Sequence, residues 1–254
     1  MMKKLAGIVV FVVGLLLFYG VSNVDVFPGW GDPDSPANAS PLSQYFITDT
    51  IKDSEVPNMV TAVLADYRGY DTMFETVVIF IAGIAIFAVV RVSRNNSPVC
   101  GGNKDDEPDL IITTTCRLLV PVIQIFALYV LAHGHSSPGG GFQGGVIMGA
   151  SFILVAVAWD LDTALGRFSE KAAIACAGLG IIIYAGFGLA SMFYGEEFLN
   201  YGITHKLLPG VESPEMARYY GMLGVEVGVM FTVTSVMFLI YGLLSTRGRM
   251  SGGL

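Results

Sequence analysis

Two carboxylates stand inside long apolar runs, where an ionised group costs several kcal/mol unless it is paired, hydrated or protonated. Glu75 lies in the first turn of one run, and Glu226 lies about one turn into another, within Gly224-Val225-Glu226-Val227-Gly228. Neither has an obvious basic partner within its own run. The expected partner is therefore water, a cation or another polypeptide. Asp71 precedes Glu75 by four residues, which puts both carboxylates on one helix face. Asp66 and Arg68 lie just upstream; an interfacial pair between Arg68 and Asp71 is the structural alternative for this group. Asp160 and Asp162 close a further apolar run and are expected to face water. Carboxylate oxygens are hard ligands that suit an alkali cation, and such groups also exchange protons when burial raises their pKa.

The most distinctive string is His133-Gly134-His135-Ser136-Ser137-Pro138-Gly139-Gly140-Gly141-Phe142-Gln143-Gly144-Gly145. Its glycines do not form a nucleotide loop, because no strand precedes them and no lysine of the Walker type follows. Zinc binding by His133 and His135 needs at least one further ligand, and His205 is the remaining histidine. The structural alternative is a tight re-entrant or capping turn, in which glycine permits left-handed backbone and close approach. Gly144 and Gly145 would then let the following helix pack closely on a neighbour. Two imidazoles at a membrane boundary also exchange protons near neutral pH, and the two readings are compatible.

These residues must be positioned by membrane helices. Of 254 residues, 53% are hydrophobic and 14% charged, and the mean hydropathy is +0.63. A soluble domain carries roughly 25% charged residues. The apolar runs are continuous, without the period-2 alternation of a membrane barrel. Six are long enough to cross a hydrocarbon core that takes about 20 helical residues: approximately 5–21, 73–92, 112–132, 143–161, 171–194 and 222–245. The first follows Lys3 and Lys4 and precedes Gly20-Val21-Ser22, which suits a secretory signal; its length makes a retained anchor the expected state. The net charge of −7 resides in loops and gives no indication of nucleic acid. Cys100, Cys116 and Cys176 show no metal or redox spacing.

Basic residues divide ten to four between alternate connecting segments, which predicts both termini on the cytoplasmic side. Residues 22–72 are rich in Pro, Asp, Ser and Asn, favouring turns over regular structure. They end in a short helix at 58–67, lying at the interface. A second polar outer segment covers 195–218 and includes Glu196, Glu197, His205 and Glu215. The acidic, glycine-containing stretch 93–109 separates two modules. In the fifth run, Gly178, Gly180, Gly186, Gly188 and Ala190 predict close helix packing. The fold class is thus all-α: a polytopic membrane protein of about six transmembrane helices.

The string 133–145, with Arg117 before it and the spans after it, closely resembles the B-type subunit of the Mrp-type multisubunit sodium/proton antiporters, over roughly 110–248. Residues 1–95 resemble the E-type subunit of the Mrp-derived membrane-bound hydrogenase and sulfane reductase complexes, and also the C-terminal end of the large A-type Mrp subunit. That resemblance is carried by Gly31-Asp32-Pro33, Asn58 and Asp66-Tyr67-Arg68-Gly69-Tyr70-Asp71-Thr72. The chain looks like a fusion: an E-type module at 1–95, a cytoplasmic linker at 96–109 and a B-type module at 110–254.

The resemblance implies a non-catalytic subunit without cofactors or metal, in a prokaryotic cell membrane. It would help form a Na+/H+ path beside other Mrp-type subunits, in a stand-alone antiporter or in a redox-driven complex with hydrogenase-like or other redox subunits. Glu75 and Glu226 are the ion-pathway candidates, with Asp71, His133 and His135 at an outer mouth. Asp66, Arg68, Pro138, Gly139, Gly140, Gly141 and Gln143 form the structural motif. The alternative is a self-sufficient small transporter or channel, although such proteins usually show internal repeats and broken helices, and Pro121 is the main helix-kinking residue within a span. A metalloenzyme built on His133, His135 and Glu196 lacks a general base placed by any motif.

Overall fold

Helix α9, Pro214–Ser245, organises the larger part of the protein. Ser213 caps it by accepting a hydrogen bond from Met216 N at 3.1 Å, and Pro214 pre-sets the first turn. This start signal lies eight residues before the apolar run expected from 222, so the helix extends well past its hydrophobic stretch. The structure, a computed structural model, describes residues 2–22, 41–90, 109–206, 210–211, 213–246 and 248.

Five of the described helices are long and apolar enough to cross a membrane: α4 (Gly69–Val90), α5 (Leu110–Ala132), α6 (Gly141–Ala158), α8 (Glu170–Phe193) and α9. Shorter elements are α3 (Met59–Ala62), which runs into a π-helical turn at Val63–Tyr67, α7 (Leu161–Arg167) and a 3-10 turn at Tyr201–Lys206. Helix α1, Met2–Ser22, is apolar over Gly7–Gly20. No strand occurs among the described residues. The chain divides into two compact units, Met1–Thr50 and Ile51–Leu254.

In the larger unit α9 is enclosed by α8, α6 and α4, while α5 packs mainly on α6. The apolar window of α9 is 67% buried within the chain, that of α4 only 11%. Helices in lipid associate through close packing and hydrogen bonds, since lipid is as apolar as leucine. Both devices are present here. Gly180 of α8 lies against the Gly228 carbonyl of α9, Gly145 of α6 against Met230 and Val233, and Gly83 of α4 against Val236. Thr232 donates to the Ala177 carbonyl at 3.0 Å, and Thr234 donates to the Gly145 carbonyl at 3.1 Å. Gln124 of α5 donates to the Ser151 hydroxyl of α6 at 3.1 Å.

The small-residue stripe of α8 divides by face. Gly180 and Gly188, eight residues or about two turns apart, meet α9 and the Phe198 ring respectively, whereas Gly178 and Gly186 have open space beside them. The turn-rich expectation for 22–72 needs correction at its centre. Residues Pro41–Ser54 form helix α2, which proline opens without losing a needed donor. Its threonines bond back along the helix, Thr48 to the Gln44 carbonyl at 2.9 Å and Thr50 to the Phe46 carbonyl at 2.5 Å. The short helix expected at 58–67 is present as α3 and the π-helical turn. The linker 93–109 lies outside the described residues except for Asp109, which caps α5 by accepting from Ile111 N at 2.8 Å. Helix α4 precedes that linker in sequence, yet it packs on α9, which follows it.

Candidate functional site

The glycine string forms the connection between α5 and α6 and folds back onto α9. Gly140 has φ +123°, a conformation L side chains rarely adopt, so this position needs glycine. The loop closes by Gly140 N donating to the Val130 carbonyl at 3.1 Å. A methyl group at Gly141 would overlap the Glu226 carbonyl and Cα. The Glu226 side chain is wrapped by the same loop: its Oε1 lies 2.9 Å from where a Cβ at Gly140 would sit, and its Oε2 lies 3.2 Å from one at Gly134. Two residues without side chains, Gly134 and Gly140, therefore make the space that this carboxylate occupies, and Gly141 seats the loop on its backbone.

Asn58 holds the loop from its other side. Its backbone N–H donates to the His135 carbonyl at 2.9 Å, and its side-chain amide donates to the carbonyls of Gly134 and Ser137 at 2.8 and 3.0 Å. Its Oδ1 accepts from Val60 N at 3.1 Å, capping α3. Thr61 adds a bond from its hydroxyl to the Gly134 carbonyl at 2.7 Å.

Between α3, the start of α4, the loop and α9 lies a cavity of about 350 Å³. Glu226 and Glu75 both line it, as do Pro138, Gly139, Gly140, Gly141 and Gln143. Glu226 is 9% exposed, and its Oε2 makes no hydrogen bond among the described residues. Glu75 is exposed at the cavity's edge. The structure thus brings together the two span carboxylates and most of the glycine motif.

Asp71, His133 and His135 are not among the lining residues. Asp71 is exposed and pairs with Arg68. His133 is exposed, stacks on Tyr129 with ring centres 4.0 Å apart, and places Nδ1 3.1 Å from the Tyr129 carbonyl. His135 is buried against Tyr219, with centroids 4.4 Å apart. Burial pushes its imidazole below the ordinary range, partly offset by the Tyr219 backbone, so it stays neutral at physiological pH. His205 bonds locally to the Gly202 carbonyl at 2.8 Å. Among the described residues no three His, Cys, Asp or Glu side chains cluster as a metal site.

Asp66 has a role that its neighbourhood in sequence does not reveal. Both oxygens of its carboxylate accept from Arg218 Nη1, at 3.0 and 2.9 Å, across 152 positions. Burial raises the Asp66 pKa, and the Arg218 guanidinium pulls it back down. Nothing in the local pattern pairs these residues. The available hint is that each is a charge flanking an apolar run.

Arg218→Met removes that pull and leaves a buried acid. The expected destabilisation is about 3 kcal/mol, the low end for a broken buried pair because Arg218 is 30% exposed. Folding then favours protonated Asp66 more strongly, so the variant keeps most of its stability at low pH and loses it as pH rises through the shifted pKa. Thermal unfolding of the detergent-solubilised protein at pH 5 and pH 8 checks this. A deficit equal at both values would show that the Asp66 charge is not its cause.

Comparison with known proteins places this geometry. Residues 111–239 match the family described as "Domain related to MnhB subunit of Na+/H+ antiporter", and residues 35–102 match the family of the E-type subunit of MBH. The B-type subunit of the Na(+)/H(+) antiporter of Bacillus subtilis is 32% identical over 135 residues, spanning 52% of this chain and 94% of that protein. The A/B-type subunit of a probable K(+)/H(+) antiporter of Rhizobium meliloti is 26% identical over 190 residues, which is 67% of this chain and only 19% of that much longer protein. Among solved structures, a chain of the Mrp complex from a Dietzia species aligns with TM-score 0.70 and 25% identity, over 99% of this chain and 26% of that one. A chain of the membrane-bound sulfane sulfur reductase, an archaeal respiratory membrane complex, aligns with TM-score 0.63 and 26% identity, over 92% of this chain and 98% of that one. The matched stretch 111–239 is half the sequence and holds both the loop and the carboxylate it encloses, and on that ground the chain belongs to the family of domains related to the MnhB subunit of Na+/H+ antiporters.

Proposed function

We propose that this chain is a non-catalytic membrane subunit of an Mrp-type cation/proton antiporter module, and that Glu226 and its glycine loop form part of the route for ions. The observation that carries the proposal is a buried, unbonded carboxylate oxygen held beside a cavity inside the span that matches the family. A group of this kind is costly in a membrane and is generally kept for function. Glu75 stands at the edge of the same cavity and takes a secondary part. The outward faces of α4 and α5, with Phe74, Val78, Ile81, Leu118, Ile125 and Phe126 exposed, suit helices of further subunits. Sodium and protons are the proposed ions. Redox subunits are proposed partners if the parent is a respiratory complex, as the reductase likeness suggests.

Reconstitution of the parent complex into liposomes tests this role. Omitting the chain is expected to abolish cation–proton exchange, and the chain alone is expected to support none. Exchange by the purified chain alone would establish a self-sufficient transporter instead, and undiminished exchange without the chain would remove it from the route. Co-purification identifies the parent, since hydrogenase-like or reductase-like subunits would accompany a redox-driven complex.

A further inference from the structure

The donors and charges around the cavity define what it can hold. Thr61, Thr72 and Thr76 each have one hydroxyl proton, and each directs it to a backbone carbonyl: Gly134 at 2.7 Å, Leu64 at 2.8 Å and Thr72 at 2.8 Å. Both side-chain N–H bonds of Asn58 are directed to the glycine loop. What these side chains still offer is oxygen lone pairs. Gln143 also lines the cavity, and its Oε1 lies 3.5 Å from where a Cβ at Gly140 would sit. The charge balance agrees. Glu226 and Glu75 line the cavity, and among the described residues no lysine, arginine or histidine does. From α8, Tyr184 is the titratable neighbour of Glu226, and its hydroxyl donates to the Gly69 carbonyl at 2.8 Å.

From these observations the geometry points to a binding site for a partly hydrated alkali cation in this cavity, with the Glu226 carboxylate as its principal ligand and a proton as the cation's competitor. Oxygen acceptors in apolar surroundings are the donor set of a hard monovalent ion. A cavity of about 350 Å³ holds the ion with several waters, each of which occupies about 30 Å³ in the liquid. With no basic side chain among the described lining residues, the carboxylate has two ways to be neutralised: it takes up a proton or it binds the cation. This site deepens the proposed role in ion exchange and rests on that reading for its physiological use, although binding itself can be measured without transport.

Dicyclohexylcarbodiimide adds to protonated carboxyls in apolar surroundings, and therefore reports the proton-bound state. The purified parent complex is treated with it in choline chloride, sodium chloride or potassium chloride over a range of pH, and modification of Glu226 is read by peptide mass spectrometry. Labelling is expected in choline and should fall about tenfold when sodium or potassium exceeds its dissociation constant about tenfold. The salt needed should decrease as pH rises, because fewer protons compete. Labelling that no alkali salt reduces, or no labelling in choline at any pH, overturns the site.

Equilibrium binding of radiosodium and radiorubidium to the same complex gives a second measure, with Glu226→Gln expected to lose one bound ion per chain. An unchanged count in an assembled variant likewise overturns the proposal. If that variant fails to assemble, the labelling of the native complex still decides. Failure here with exchange still dependent on the chain would remove the cation site alone. Protection by alkali salt with exchange indifferent to the chain would remove the proposed role alone.

Discussion

In the assembled complex, Glu226→Gln is expected to reduce cation–proton exchange at least about tenfold, the equivalent of about 1.4 kcal/mol in one equilibrium step, while subunit content stays unchanged. Glutamine keeps the volume and shape of the side chain, so it fits the space bounded by Gly134 and Gly140. It cannot change protonation state and carries no charge to balance an ion. The structural alternative is that Glu226 ties helices together. Its Oε2 makes no hydrogen bond among the described residues, so no such tie runs through that atom. Glu75→Gln should be milder, since Glu75 is exposed and its charge is better solvated. Exchange is measured in everted vesicles or liposomes, with subunit content scored on the same preparation. Full exchange in the assembled Glu226 variant would remove this residue from the route, and loss of assembly would support the structural alternative.

Gly141→Ala is expected to do the opposite, depleting the assembled protein before any transport step can be measured. A Cβ at 141 would overlap the backbone of Glu226, whose atoms cannot move without shifting α9. Overpacking of this kind costs about 1–3 kcal/mol, and more where neither partner can relax. Gly178→Ala is the control. It adds the same methyl group to a helix at a point with nothing within 4 Å, and there alanine gains up to about 1 kcal/mol in helix propensity. Thermal stability in detergent and abundance in the membrane should therefore fall for the first variant and hold or rise for the second. Equal behaviour would show that α6 and α9 do not approach as closely as described.

The helices were legible because lipid as solvent leaves a simple mark, runs of about 20 apolar residues, and α4, α5, α6, α8 and α9 coincide with such runs to within a few residues at most ends. The early start of α9 is not legible in the same way, since its first turns are polar and are fixed by Ser213, Pro214 and an ion pair made far away in sequence. Helix α2 is hidden for a related reason: its composition suits turns, and its threonines direct their hydroxyls back to the preceding turn. At the site, glycine density and the cost of a span carboxylate indicate the glycine string and Glu226 separately. Their juxtaposition lies beyond sequence, because 141 and 226 are 85 positions apart and the contact is between backbones. His133 and His135 draw attention as titratable groups, but one stacks on an exposed tyrosine and the other is buried and held neutral, neither lining the cavity.

The four bonds of Asn58, three to carbonyls of the loop and one capping α3, have a mechanical consequence. A lever needs a rigid joint at each end, and here α3 is clamped to the loop while the loop is seated on the backbone of Glu226. Push α3 sideways and the wall around the carboxylate must travel with it. The loop therefore cannot swing as an independent flap. A movement of the loop that opens the cavity has to carry α3 with it for as long as these bonds hold.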